Sequence, residues 1–155
     1  MTRDDFSPVL QAFGASLGIE GLALDEYQSC TLTIDEVMLA MQWKSEAQTV
    51  LIYAPVGMID QDNLDKNLLV QLLEANCLGL GTGGLALGLQ PGLGAIILSG
   101  QLSTHNLEPV VLERFIEFFT NMADEWKGRL AQTQAGLETA PDTPAAPDMP
   151  VGIRI

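Results

Sequence analysis

Basic residues are scarce in this chain of 155 residues. Lysine and arginine together number 7 against 20 aspartates and glutamates, so the formal net charge is −13 and the sequence pI is about 4.1. A nucleic-acid-binding surface needs clustered basic side chains that release counterions from the phosphates. Anionic lipid surfaces attract proteins through the same kind of cluster. The composition therefore argues against nucleic acid and membranes as partners.

Residues that hold metals or form disulfides are equally few. The two cysteines, Cys30 and Cys77, have no metal or redox spacing, and His105 is the only histidine. One histidine excludes a multi-histidine metal site. Apolar runs are broken by glycine well short of the roughly 20 residues that span a bilayer, and no signal-peptide pattern follows Met1. We therefore expect a cytoplasmic protein with reduced thiols and no metal or cofactor.

The first half of the chain predicts one helix followed by three strands. Apolar residues three and four apart predict the helix over about residues 4–18, with Ser7 ahead of Pro8, or Asp4 or Asp5, as its N-cap. Strict alternation then predicts strands near residues 30–34, 37–43 and 50–54. Their connections are too short for a parallel crossover, so we expect an antiparallel meander.

The second half predicts helix, hairpin, helix and tail. A helix capped by Asp62 carries a wide apolar stripe, formed by Leu64, Leu68, Leu69, Leu72, Leu73 and Cys77. A glycine-rich hairpin follows around residues 85–98. Asn106 is the expected cap of a last helix that ends near Leu130. Residues 131–155, with four of the eight prolines, are predicted to be a flexible tail after a single 1–130 domain.

These elements predict an α+β fold, with the order α-β-β-β-α-β-β-α and a twisted antiparallel sheet packed against helices. Little in it favours catalysis. The glycine-rich stretch at residues 79–84 follows a helix and precedes a strand, which is the reverse of a phosphate-binding loop. His105 is expected in a surface turn, and both cysteines are expected to be buried and structural. We therefore expect no enzyme activity.

With this element order, several short strings resemble the class I chaperones of type III secretion, the Tir chaperone-like family. The strings lie in order along residues 4–130: LALDE at 22–26, CTLTID at 30–35, LIYAPVG at 51–57, LLEAN at 72–76 and TGGLALGL at 82–89. Phe115, Phe119, Ala123 and Trp126 fit the family's last helix. The proline-rich tail has no counterpart in the family core.

The resemblance implies a homodimer of the bacterial cytoplasm that binds the N-terminal segment of a secreted effector and keeps it soluble for export. It also implies the secretion ATPase as a further partner. Such a segment needs apolar grooves or a free strand edge. The expected effector groove consists of Val9, Phe13, Leu32, Ile34, Leu39 and Met41. The expected dimer interface consists of Leu68, Leu69, Leu72, Leu73, Leu85 and Leu87, because the second helix is more apolar than one small sheet requires.

Two other functions stay open from the sequence. The same fold would suit an anti-activator-type protein that sequesters a regulator of secretion genes, and the fate of the bound partner, exported or retained, separates the two. A small enzyme using aspartate or glutamate is the third, although no nucleophile–base pair is visible.

Overall fold

The computed structural model describes residues 2–139, which form three helices around one five-stranded sheet. The elements in chain order are α1 (Arg3–Ser16), β1 (Ser29–Ile34), β2 (Val37–Lys44), β3 (Thr49–Met58), α2 (Lys66–Asn76), a 3₁₀ turn (Cys77–Gly79), β4 (Ala86–Leu89), β5 (Ala95–Ser103) and α3 (Pro109–Thr139). The predicted α-β-β-β-α-β-β-α order and the α+β class are both confirmed.

All neighbouring strands of the sheet are antiparallel, in the order β1-β2-β3-β5-β4. β1, β2 and β3 form the predicted meander, and β4 with β5 forms the predicted hairpin. β5 pairs with β3, so β1 and β4 are left as the two edge strands. The meander and the hairpin are therefore joined side by side through the longest strands, β3 and β5.

The core lies between one face of the sheet and the helices α1 and α3. Alternate strand residues point inward, including Leu32, Leu39, Met41, Ile52, Ala54, Ile96 and Leu98. α1 buries Phe6, Val9, Leu10 and Phe13 on this face, and α3 buries Leu112, Ile116, Phe119, Ala123, Trp126 and Leu130. Each large buried side chain stabilises the fold by about 1.5–3 kcal/mol. α2 buries only Leu68 and Ala75 and packs chiefly against β4.

The start of α1 differs from every candidate that the sequence suggested. Thr2 is the N-cap: its side chain accepts a hydrogen bond from the backbone N–H of Asp5, whose carboxylate accepts one from the Thr2 N–H at 2.8 Å. This reciprocal capping box lowers the pKa of the Asp5 carboxyl, chiefly through the backbone hydrogen bond from Thr2. Neither Ser7 nor Asp4 nor Asp5 is the cap, and Pro8 lies inside the first turns of the helix.

The starts of the other two helices also correct the sequence predictions. Asp65, not Asp62, caps α2 by accepting a hydrogen bond from the Asn67 N–H at 2.9 Å. Asn106 is not a cap, because its φ of 52° places it in a left-handed turn before α3. α3 begins at Pro109, where the absent N–H would have had no partner inside the helix.

The last helix is longer than predicted. It continues to Thr139 rather than ending near Leu130, so residues 131–139 of the predicted flexible tail belong to α3. Leu130 packs where a side chain on Gly57 would lie, and the amide of Gln134 donates to the carbonyl of Met58. These contacts attach the helix to the end of β3. Residues 140–155 lie outside the described part of the chain.

Candidate functional site

A groove opens between α1, α3 and the turn that joins β1 to β2, with a volume of about 360 Å³; we call it the α1–α3 groove. Its apolar lining comes from Phe13, Leu17, Ile34 and Ile116. Asp35, Glu113 and Glu117 line it with exposed carboxylates. None of these three carboxylates makes an ion pair with another described residue. The groove therefore combines apolar contact area with a local negative charge.

Local sequence explains how the groove is held open. Asp35 and Glu36 both have positive φ, at 46° and 68°, as a two-residue hairpin turn requires. The ammonium group of Lys127 donates to the Glu36 carbonyl at 3.0 Å and ties this turn to α3. On the other side of the groove, the chain folds back sharply after α1. Gly14 permits this close return, because a Cβ at that position would lie 2.7 Å from the Cβ of Leu22. Leu17 is thereby left at the rim, 38% exposed.

The edge of β1 leads into this groove, because Ile34 ends the strand and also lines the groove. The two-residue turn pairs Ile34 with Val37. In such a hairpin the residues alternate between bonding the partner strand and facing away from it. The backbone N–H and C=O groups of Thr31 and Thr33 therefore face away from β2, and no described strand pairs with this edge. An extended chain could add to it.

The structure places most of the predicted effector-groove residues in the core. Val9, Leu32, Leu39 and Met41 are buried in the core of the single chain, and their contact with an effector stays a prediction. Phe13 and Ile34 do line the α1–α3 groove. Spacing along each element identifies side chains that share one face, whereas only Phe13 and Ile34, at the shared end of α1 and β1, line this groove.

A second groove, of about 250 Å³, lies between α2 and β4; we call it the α2–β4 groove. Its lining residues include Leu69, Leu72, Leu73 and Leu87. Asn76 holds it together: its amide donates to the carbonyls of Leu72, at 3.0 Å, and Leu87, at 2.9 Å, and its side-chain oxygen accepts from the Leu87 N–H at 2.8 Å. The side chain thus bonds the free edge of β4 as a neighbouring strand would.

The predicted dimer residues divide between this groove and the core. Leu68 and Leu85 are buried in the single chain, and Leu87 is buried except where it borders the groove, so the part of these three residues in a dimer interface stays a prediction. Leu69 and Leu72 are half-buried, and Leu73 is 71% exposed. The accessible part of the predicted interface is therefore a short row on α2.

The face of the sheet opposite the core continues this apolar surface. A groove of about 420 Å³ crosses the strands and is lined by residues that include Leu51, Tyr53, Ala86, Gly88 and Ile97. Gly88 and Leu89 line both this groove and the α2–β4 groove. Ala86 and Gly88 of β4 project little from the sheet and leave the two grooves unseparated. The two grooves therefore form one continuous area.

The residues considered for chemistry have structural surroundings. Cys30 is buried as predicted, and its desolvation, with a contribution from the charge of Asp25, raises the pKa of the thiol to about 11. Cys77 is exposed at the end of α2, which corrects the prediction that it is buried. His105 lies in an exposed turn. Among the described residues, no group of histidine, cysteine, aspartate and glutamate side chains is placed to hold a metal ion.

The glycine-rich stretch after α2 is a series of turns rather than an anion site. Leu78 and Gly79 both have positive φ, which ends the helix, and the indole N–H of Trp126 donates to the carbonyl of Gly81 at 3.0 Å. The stretch thus joins α2 to β4 and is fixed to α3. None of the helices in the described residues is long and apolar enough to cross a membrane.

Comparisons with known proteins identify a family for this chain. Residues 9–127 match the model of the Tir chaperone protein (CesT) family. A Tir chaperone of Escherichia coli O157:H7 is 26% identical over 109 residues, which cover 70% of this chain and 69% of that protein. A Tir chaperone of Citrobacter freundii matches with the same identity and coverage.

Solved structures show the same fold. A chain in the crystal structure of the ExsC–ExsE complex superposes with a TM-score of 0.70 at 22% identity, covering 83% of this chain and 95% of that one. A chain in the HopA1–SchA chaperone–effector complex gives a TM-score of 0.64 at 19% identity, covering 78% and 91%. The family match spans α1 to α3, with both grooves inside it. The chain belongs to the Tir chaperone (CesT) family of type III secretion chaperones.

Proposed function

We propose that this protein is a cytoplasmic chaperone that binds an extended N-terminal segment of a secreted effector in the α1–α3 groove and along the β1 edge. The observation that carries the proposal is the continuity of the two features at Ile34. A free strand edge binds any extended backbone, and an adjacent apolar groove selects side chains at alternate positions. A segment held in this way stays unfolded and soluble until export.

The charge of the groove indicates which segments fit. Asp35, Glu113 and Glu117 stand around its apolar lining. A ligand with apolar residues at alternate positions and one or more basic residues between them would satisfy both features. We therefore propose an effector segment of apolar and basic character. The HopA1–SchA structure, which has a related fold, is described as a chaperone–effector complex.

We also propose that the chain works as a homodimer joined through the α2–β4 groove and the adjoining outer face of the sheet. Leu73 lines the α2–β4 groove and is 71% exposed, and a two-fold interface would cover it in both copies. The glycine and alanine of β4 allow close approach. The secretion ATPase is a further proposed partner of the loaded dimer, and we assign the chain no catalytic role.

Native mass spectrometry of the protein purified gently from its own bacterium tests the proposal as a whole. We expect a mass near twice 16.6 kDa plus one bound partner that the cell exports. A dimer carrying a partner that stays in the cell and controls secretion genes would favour the regulatory alternative. A monomer with no partner would contradict both the dimer and the chaperone role.

Two single substitutions then test the two grooves against each other. Leu17→Gln, at the rim of the α1–α3 groove, should weaken binding of the partner and leave the dimer intact. Leu73→Gln should dissociate the dimer and leave each protomer folded, since its side chain is largely exposed before association. Losing about 1.5–3 kcal/mol of apolar burial in each copy implies at least a hundredfold weaker dimer.

Each variant is the control for the other, because both replace a partly exposed leucine with glutamine. Circular dichroism and urea denaturation confirm folding, and sedimentation equilibrium gives the dimer constant. A dimer unaffected by Leu73→Gln would rule out the α2–β4 groove as the interface. Partner binding unaffected by Leu17→Gln would rule out the α1–α3 groove as the effector site.

The β1 edge has its own test at Thr33. Thr33→Pro removes a backbone N–H that faces away from β2, so the sheet keeps its own hydrogen bonds while an added strand loses one. Thr33→Val keeps the N–H and is the matched control. Equal partner affinity for the two variants would show that no strand adds to this edge.

A further inference from the structure

The α1–α3 groove has a second candidate ligand within the chain itself. Residues 151–155 read VGIRI, with apolar side chains at alternate positions and a cation, Arg154, between two of them. It is the only basic residue after Arg129. In an extended chain, alternate side chains point to opposite sides, so Val151, Ile153 and Ile155 would share one side. This is the chemistry that the groove requires of a ligand.

We propose that residues 151–155 bind in the α1–α3 groove of their own protomer and compete there with the effector segment. The apolar side chains would contact the lining formed by Phe13, Ile34 and Ile116, and the guanidinium of Arg154 would lie among the three carboxylates. The competition rests on the proposed function of this groove. The docking of residues 151–155 in the groove does not rest on that proposed function.

The length of the intervening chain permits this contact. Lys127 fixes α3 beside the β1–β2 turn, and the helix ends twelve residues later, at Thr139. At 1.5 Å per residue, that end is about 18 Å beyond the groove's nearer side. The farthest lining residue on α3, Glu113, is about 39 Å from it along the helix. The eleven residues 140–150 contain Pro141, Pro144, Pro147 and Pro150. At about 3.1 Å each, a chain of this length would span up to about 34 Å, which would bring residues 151–155 within reach of the groove.

Charge supports this occupant over other parts of the chain. The protein carries a net charge of −13, so a basic segment is rare in it and is attracted to the groove carboxylates. Residues 140–150 contain two aspartates and no basic residue, which makes them a poor ligand for the same site. The complementarity is therefore confined to residues 151–155.

A tethered segment acts at an effective concentration of about a millimolar. If the isolated segment binds with a dissociation constant near 100 µM, the tether would weaken a competing ligand about tenfold. The effect should disappear when the segment loses its apolar side chains. The groove would then bind any ligand at its intrinsic affinity.

Fluorescence anisotropy with a labelled synthetic peptide of residues 149–155 tests this directly. The full chain carrying Ile153→Asp and Ile155→Asp should bind the peptide about tenfold more tightly than the unaltered chain, because its internal competitor is disabled. Adding Leu17→Gln to that variant should abolish binding, whereas adding Leu73→Gln should not. A peptide with Glu in place of Arg154 should bind at least fivefold more weakly, and one with Lys should bind nearly as well.

Equal peptide affinity for the unaltered chain and the Ile153→Asp, Ile155→Asp variant would overturn the proposal, as would a peptide that fails to bind either. A fall in oligomeric mass on introducing the same two substitutions would show that the segment binds a second copy instead, and would overturn the intramolecular contact.

The two proposals fail separately. If binding of the exported partner requires Leu17 and the peptide does not bind, only the proposal of an internal ligand is wrong. If binding of the peptide requires Leu17 and binding of the partner does not, the groove is not the effector site. The proposed contact between residues 151–155 and the groove is then still supported, but it does not compete with the effector.

Discussion

Asn76 offers the sharpest test of how α2 and β4 are held together. Its side chain makes three hydrogen bonds, two to the backbone of Leu87 and one to the carbonyl of Leu72, all between 2.8 and 3.0 Å. Asn76→Ala removes all three. At about 0.5–1.5 kcal/mol net for each bond, and with Leu87 partly returned to water, the free energy of unfolding should fall by about 2–3 kcal/mol.

Urea denaturation at fixed protein concentration measures this loss, because dimer formation would otherwise shift the midpoint. For a chain of this size the same loss lowers the melting temperature by about 4–12 °C. Asn67→Ala is the matched control, since Asn67 is an exposed residue of the same helix that uses only its backbone N–H for the Asp65 cap. Both substitutions gain the higher helix propensity of alanine.

A second variant separates the hydrogen bonds from mere side-chain volume. Asn76→Asp keeps the acceptor for the Leu87 N–H, but at neutral pH it places a carboxylate against two carbonyl oxygens. Its destabilisation should exceed that of Asn76→Ala and should diminish, relative to the unaltered chain, as the pH falls and the carboxyl becomes a donor. If Asn76→Ala matched Asn67→Ala within 0.5 kcal/mol, the assigned role of this side chain would be refuted.

Further expectations concern glycines and thiols. Gly83→Ala should lower the free energy of unfolding by about 2 kcal/mol, because Gly83 has a φ of 61° and an added Cβ would lie 2.5 Å from Phe118. Gly128→Ala, at an open position on α3, should raise the free energy of unfolding by up to about 1 kcal/mol, as measured by urea denaturation. A change of the opposite sign for either variant would contradict the geometry. In the folded chain at pH 8, alkylation followed by peptide mapping should modify Cys77 and spare Cys30. The raised pKa of Cys30, about 11, leaves only about 0.1% of its thiol as thiolate at that pH. Equal labelling of the two cysteines would show that Cys30 is not buried.

The strands were predictable because their signal is local. Alternation along residues 37–43 distinguishes an inward from an outward side chain without knowledge of any partner, and the short turns permit only antiparallel pairing. Helix starts were less predictable because several residues competed for each cap. Thr2 followed by Asp5 three residues later was a visible capping-box pattern, and Pro109 was a visible first helical residue.

The grooves depend on information that no single element contains. Glu113 and Glu117 face Asp35 only because of the rotation of α3 about its axis, which is set by packing along the whole core. Asn76 meets Leu87 across the 3₁₀ turn and the glycine-rich turns between them. A half-exposed asparagine at a helix end, before a strand with a free edge, is the signal that points to such a bond.

The position of α3 in the chain has a consequence for synthesis on the ribosome. β1, β2 and β3 are consecutive in the chain, whereas α3, which covers much of the apolar face of the sheet, follows all five strands. Until then this face is exposed to solvent and to other nascent chains, which favours aggregation. Trp126 and Leu130 are among the last core residues to leave the exit tunnel. Among the described elements, α3 is therefore the one that completes the core, and a pause in translation before it would prolong the exposure of the apolar face.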